Sequence, residues 1–395
     1  MLFWELKKLL QRRSTLVSAL LALAVCLCTA FVSSFSSYDT AYDAFTEQAC
    51  QAKLRWRDSA AAWEGAVTGD KLLAALSGVD VSTPDSRDRT LHPTAPLLEL
   101  AGIGLGQTQL QECETVLFPT ADLTDAQRAA LSDFYMLRRE KLEEMLAQQL
   151  KSSRDRALFL SMDDTVPTPY RFSYALPHES FCKNLIVVQL FCLLLTCVII
   201  APVFTVEYQT RAAHLVLCTR HGRGRLAKAK LAAALLVSGG VYLVCMTVYV
   251  GIQLALFGTH GLDGSLQLTS WYAVLPVTLG QAELLGIGLG FLAVLASAAI
   301  TAALSAALSS AFHVYVIVDG VLLLVPMFGG AVAAIRPYAQ LLPFNNYFAE
   351  LTQFRVYHPF GLPVWQPGMQ CCMLLLYLAV CLPLAGWVYT NHQVK

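Results

Sequence analysis

The sequence predicts an all-α membrane protein of about six transmembrane helices, with a large helical extracytoplasmic domain between the first and second. Three observations predict it. The 395 residues are 56% hydrophobic and only 14% charged, against about a quarter charged in ordinary soluble domains. The charge is uneven, with roughly four-fifths of the 28 acidic residues between positions 36 and 180. Outside that block, apolar runs recur that reach the ~20 residues a helix needs to cross a bilayer. The chain divides into an amphipathic segment and first span (1–35), the polar block (36–180), and the remaining spans (181–395).

The first span is expected over 14–35. Lys7, Lys8, Arg12 and Arg13 precede it, and basic flanks stay cytoplasmic. Phe3, Leu6 and Leu10 fall on one helical face, which suits a short helix on the membrane surface. The apolar run is long for a signal peptide and lacks a convincing small-residue cleavage site, so it reads as an uncleaved anchor. In the polar block, Tyr38, Tyr42, Phe45, Ala49, Ala52, Trp56, Ala60, Trp63 and Val67 recur at steps of three and four. That spacing predicts one long helix. Residues 78–96 hold Gly78, Pro84, Pro93 and Pro96 and read as loop. A second long helix is expected from Thr124, which forms a capping-box pattern with Gln127. Its buried side would carry Leu131, Phe134, Tyr135, Leu142, Met145 and Leu146. Pro167 and Pro169 close the helical territory, and no alternation argues for a sheet.

The later spans are expected at 183–206, 229–257, 274–305, 312–335 and 369–390. The fourth span holds Gly286, Gly288, Gly290, Ala293, Ala296 and Ser297. Small residues let helices approach closely in lipid, so this span belongs inside the bundle or at a dimer seam. The 207–228 loop carries Arg211, Arg220, Arg223, Arg225 and Lys228, whereas the loop before the fourth span has no Lys or Arg. Both chain ends are therefore expected in the cytoplasm with the 207–228 loop, and the polar block and the 336–368 loop outside. Tyr347, Phe348, Leu351 and Phe354 are expected to lie along the outer interface.

Residues able to carry chemistry are few. Formal charge is zero, so nothing draws the chain to nucleic acid. The 12 cysteines fall mostly in apolar runs and lack metal-ligand spacing. Cys50 and Cys113 lie in the polar block, where an oxidising compartment would allow a disulfide. Glu283 and Asp319 fall within spans, and a carboxylate at membrane depth is a candidate polar site. His313, Trp4, Trp271, Trp365 and Trp387 sit near expected membrane borders and read as interfacial groups. The Gly-rich stretch 101–106 lacks a dinucleotide-binding context and reads as a loop or helix break. No phosphate-cradling G-x-x-x-x-G-K-[ST] occurs, nor HExxH or GxSxG.

The 207–228 loop is the most informative stretch. As a helix, 207–218 places Glu207, Thr210, Arg211, His214 and Cys218 on one side, and a basic turn follows, Arg220-His221-Gly222-Arg223-Gly224-Arg225. The run Glu207-Tyr208 … Leu215-Val216-Leu217-Cys218-Thr219-Arg220 … Leu226-Ala227-Lys228-Ala229-Lys230 resembles the first cytoplasmic loop of type-2 ABC transporter permeases. The basic N-terminal segment, the outer domain after the first span and the six spans are also similar. The Gly-Arg-Gly-Arg turn departs from relatives that carry Pro or Ser there. The resemblance implies a bacterial plasma-membrane permease that moves a peptide, antibiotic, lipid or similar amphipathic molecule outward. It would work as a homodimer or heterodimer with a separate ATP-binding subunit, which binds the ATP and Mg. Glu207, Arg211, Arg220 and Arg223 match the coupling position by place, and the chain itself would be neither an enzyme nor a cofactor binder. A membrane sensor or scaffold relaying ligand binding by the outer domain is the alternative. A membrane enzyme using Asp319 or Glu283 is a third reading, which no second intramembrane partner supports.

Overall fold

A computed structural model describes residues 1–35, 47–77, 95–104, 125–212, 218, 224–329 and 335–391. Among these, helix dominates. The chain begins with α1 (Leu2–Leu10) and turns at Gln11 and Arg12 into α2 (Arg13–Phe35). The polar block contributes α3 (Glu47–Ala60), a two-residue strand β1 (Gly65–Ala66), α4 (Gly69–Ser77) and α5 (Ala95–Gly104). It continues with α6 (Asp125–Ser132), α7 (Phe134–Gln149), α8 (Ser153–Asp163) and β2 (Arg171–Phe172). Then come α9 (Leu176–Ile200), α10 (Pro202–Gln209), α11 (Arg225–Phe257), α12 (Leu279–Ala307) and α13 (Ala311–Gly329). Two single turns, α14 (Arg336–Ala339) and α15 (Tyr347–Glu350), lead to strands β3 (Val356–Tyr357) and β4 (Val364–Trp365), and α16 (Gln366–Thr390) is last.

Among the described residues, five stretches are long and apolar enough to cross a membrane: Arg13–Phe35, Leu176–Gln209, Arg225–Phe257, Leu279–Ala307 and Gln366–Thr390. The fifth expected span, 312–335, corresponds to α13, a shorter apolar helix. The break between α9 and α10 has a local cause. Pro202 has no N–H to continue the ladder. Ser305 of α12 stitches the gap, since its hydroxyl donates to the Ala201 carbonyl at 2.7 Å and accepts from the Phe204 amide at 3.1 Å. Freed backbone groups at membrane depth need such partners.

The small-residue helix α12 does lie inside, packed on α9, α11 and α16. Gly290 makes room there for the Gln189 amide and the Tyr242 hydroxyl. Gln189 Nε2 donates to the Gly286 carbonyl at 2.9 Å, and the Tyr242 hydroxyl donates to the Ile287 carbonyl at 2.9 Å. Backbone carbonyls of α12 thus take the place of polar side chains.

The polar block is built differently from the expected pair of long helices. The first helix stops at Ala60, where a 3-10 turn (Ala61–Trp63) and β1 follow, so Val67 lies past the end of that stripe. Tyr38, Tyr42 and Phe45 lie outside the described residues. The second helix is broken at Asp133 into α6 and α7. Leu131, Phe134, Leu142 and Leu146 are buried as expected, and Thr124 is outside the described residues. Residues 101–104 are helical, the end of α5, rather than a loop. Apolar spacing reads which face is buried but not where a glycine interrupts the run; Gly65 has φ 104°, a region costly for other residues.

One cap at one end of the bundle unites three segments that are distant in sequence: the described polar block, residues 258–278 and residues 336–365. β1 pairs antiparallel with β2, and the Tyr135 hydroxyl spans the two, donating to the Val67 carbonyl at 2.7 Å and accepting from the Tyr170 amide at 2.8 Å. Arg138, 3% exposed, donates to Asp163 Oδ1 at 2.8 Å and to the carbonyls of Trp271 at 2.8 Å and Ala273 at 3.1 Å. Arg139 holds the other Asp163 oxygen at 2.7 Å. On the far side His358 meets Asp155 at 2.9 Å, and Phe159 stacks edge-on against Phe354. Trp271 and Trp365 therefore pack within the cap cores, while Trp4 and Trp387 are exposed. Tyr347, Phe348 and Leu351 are also buried, wedged against α12 and α16 rather than along an interface.

Gly261 marks how tightly two segments of the cap, residues 258–278 and the end of the polar block, meet. Its φ is 95°, and a Cβ there would collide with the Tyr174 carbonyl oxygen. Gly261→Ala is expected to lower stability by more than ~1 kcal/mol. Gly251→Ala, where no atom lies within 4 Å of the added carbon, is the control. Thermal unfolding in detergent checks it, and equal midpoints for the two variants would refute the tight junction.

Candidate functional site

At the end of the bundle opposite the cap, α10 and α11 flank residues 210–224. The chain start and the end of α16 meet there too. Glu207, in the last turn of α10, is 5% exposed. It faces Lys230 of α11, itself 2% exposed, with Oε1 to Nζ at 2.8 Å. The Tyr389 hydroxyl of α16 donates to Glu207 Oε2 at 2.8 Å. Lys230 also donates to the Val203 carbonyl at 2.9 Å, approaches Glu5 of α1 at 3.7 Å and lies over the Phe204 ring. Four helices are thereby tied by one buried ionic knot. Burial makes each charge dependent on its partner, because either one alone would be left desolvated.

The sequence reading put Glu207 on one side of a helix running 207–218, together with Thr210, Arg211, His214 and Cys218. The described residues interrupt that helix and place Glu207 inside. Helix α10 ends at Gln209. Arg211 has φ 57°, a left-handed conformation that ends a right-handed helix. Glu207 then turns inward because Lys230 waits one helix away. Arg211 and Cys218 are exposed. Arg220, Arg223 and His214 lie outside the described residues. Sequence reasoning missed Tyr389 and Glu5 as members of the knot. Lys230 carried a legible signal, the lysine at the entry to an apolar run.

The two expected intramembrane carboxylates are well separated in the fold. Glu283 in the second turn of α12 accepts from Gln253 Nε2 at 3.2 Å, and Gln253 meets His178 Nδ1 at 2.7 Å. That polar triad lies at the cap end. Asp319 of α13 instead faces the Cys197 thiol of α9, and it forms no ion pair among the described residues. Cys50 is buried against the first span, and Cys113 lies outside the described residues, so their pairing is not described.

A further buried carboxyl, not foreseen, is Glu350 in the cap. Gln366 Nε2 donates to its Oε1 at 2.6 Å, and Arg355 Nη1 donates to the Gln366 side-chain oxygen at 3.1 Å. Burial pushes the Glu350 carboxyl up to about 8, although Arg355 and Gln366 pull the other way. The folded chain therefore holds a proton that the unfolded chain releases near 4.5. This contribution to stability is complete below that lower value and is lost as pH rises through about 8. Wild type is expected to lose thermal stability across that window. Glu350→Gln, which cannot ionise, is expected to lose less, and parallel pH profiles for the two would refute the assignment.

Compared with family models, with curated proteins and with solved structures, the chain matches none. Fold and site together define its class: a multi-pass helical membrane protein with a cap at one end and a buried ionic knot at the other.

Proposed function

We propose that this chain is the permease subunit of an ATP-driven ABC exporter. It sits in the plasma membrane of a bacterium with both ends in the cytoplasm, and it pairs with a second permease, identical or similar. A separate ATP-binding subunit supplies ATP hydrolysis with Mg. The cargo is amphipathic: a peptide, an antibiotic, a lipid or a similar molecule. The observation that carries this reading is the knot beside residues 210–224. A partner pressing on that loop moves α10 and α11 together, and through Glu207 and Lys230 it also moves α1 and α16. Coupling then needs only that the ATP-bound partner favour one of two bundle arrangements by differential contact. Arg211, Arg220 and Arg223 form the outward contact, and Glu207 transmits from within. The absence of a phosphate-cradling loop from the sequence is consistent with hydrolysis on another chain.

The test is co-expression with the candidate ATP-binding subunit, followed by pull-down and ATP-turnover measurement in vesicles. Arg211→Ala with Arg223→Ala is expected to weaken association by roughly tenfold or more, the effect of about 1.4 kcal/mol. Glu207→Gln is expected to leave association intact and to uncouple turnover from transport. Unchanged association and unchanged coupled turnover in both variants would refute the reading.

A further inference from the structure

The junction between α1 and α2 holds a set of groups that the exporter reading does not use. Helix α1 turns Leu9, 3% exposed, and part of Leu6 toward α11. Its remaining surface is open and divided. Phe3, Trp4 and Leu10 are exposed apolar groups, the Phe3 and Trp4 rings meeting edge-on at 6.1 Å, and Lys7 lies with Nζ 5.7 Å from the Trp4 ring. Lys8 and Arg13 are exposed, and Arg12 carries a buried guanidinium nitrogen, Nη1, without a partner among the described residues. The nearby acids are occupied, Glu207 by Lys230 and Glu5 by Lys8 and Lys230. Lys7 and Arg13 thus form no ion pair among the described residues, and Arg12, although Glu5 and Glu207 lie near enough to act on its charge, keeps that nitrogen without a hydrogen-bond partner among them.

We propose that this junction binds the headgroups of anionic phospholipids. Apolar side chains beside free cations on a short surface helix suit the boundary between acyl chains and headgroups. Each Lys or Arg near an anionic surface adds favourably. Two residues separate α1 from the membrane-spanning α2, which holds the cations at headgroup level. A guanidinium with spare donors takes a phosphate oxygen pair in its fork. The proposal is independent of any ATP-binding partner.

The test is native mass spectrometry of the delipidated full chain in detergent, titrated with phosphatidylglycerol or with phosphatidylcholine. Wild type is expected to hold phosphatidylglycerol at least roughly tenfold more tightly, about 1.4 kcal/mol. In Lys7→Gln/Arg13→Gln, which alters only exposed side chains, that preference is expected to fall to about twofold or less, and adding Arg12→Gln is expected to remove the rest. Lys151→Gln, on the cap, is expected to keep the wild-type preference. Inorganic phosphate is expected not to displace the bound lipid. Equal binding of both lipids by wild type, a preference that survives in the junction variants, or displacement by inorganic phosphate would each overturn the proposal. The wild-type comparison decides even if the triple variant does not fold.

Discussion

Lys230→Ala is expected to destabilise the chain by about 3–5 kcal/mol, the usual cost of removing one member of a buried ion pair. Glu207 would keep its hydrogen bond from Tyr389 but lose the cation at 2.8 Å. The Val203 carbonyl would lose its donor as well. The double variant Glu207→Gln/Lys230→Met is expected to recover much of the loss, because apolar and neutral groups of similar volume leave no charge stranded. Equilibrium unfolding in mixed micelles of Glu207→Gln, Lys230→Met and the double gives the coupling between the residues. A value above ~1 kcal/mol is expected for groups in direct contact. Additive single effects would mean that the knot does not act as a unit, and the transmission role assigned to Glu207 would fall with it.

Asp163→Ala is the second large effect, also about 3–5 kcal/mol. The carboxylate holds Arg138 on one oxygen and Arg139 on the other. Without it, the nearly buried Arg138 retains the Tyr170 ring and the carbonyls of Trp271 and Ala273 but no anionic partner. Because those carbonyls belong to residues 258–278, damage is expected on both sides of the joint. Hydrogen exchange should rise together in 134–163 and in 266–278. A rise confined to 134–163 would show that the arginine does not bind the cap together.

Most of the membrane architecture was legible because a bilayer imposes a length and an apolar composition on any helix that crosses it. The runs at 14–35, 183–206, 229–257, 274–305 and 369–390 needed no partner to be recognised. The small residues of α12 foretold its interior place, since close helix approach in lipid demands small side chains. The buried side of α7 was legible from the spacing of Phe134, Leu142 and Leu146.

The cap and the knot were not legible as units. Arg138 binds carbonyls of Trp271 and Ala273, and a backbone carbonyl is a group that every residue offers. Asp155 meets His358 across some two hundred positions, with no pattern linking them. On a helical wheel Glu207 falls beside Arg211 and His214, and nothing on that wheel points to Lys230. So the sequence alone determined that this is a membrane-spanning helical chain with a polar block after its first span. It also placed the arginines of the 207–228 loop between two spans. Tertiary structure alone decided which charges pair, since a buried charge takes whichever partner the fold brings within about 3 Å, and hydropathy along one chain does not encode that distance.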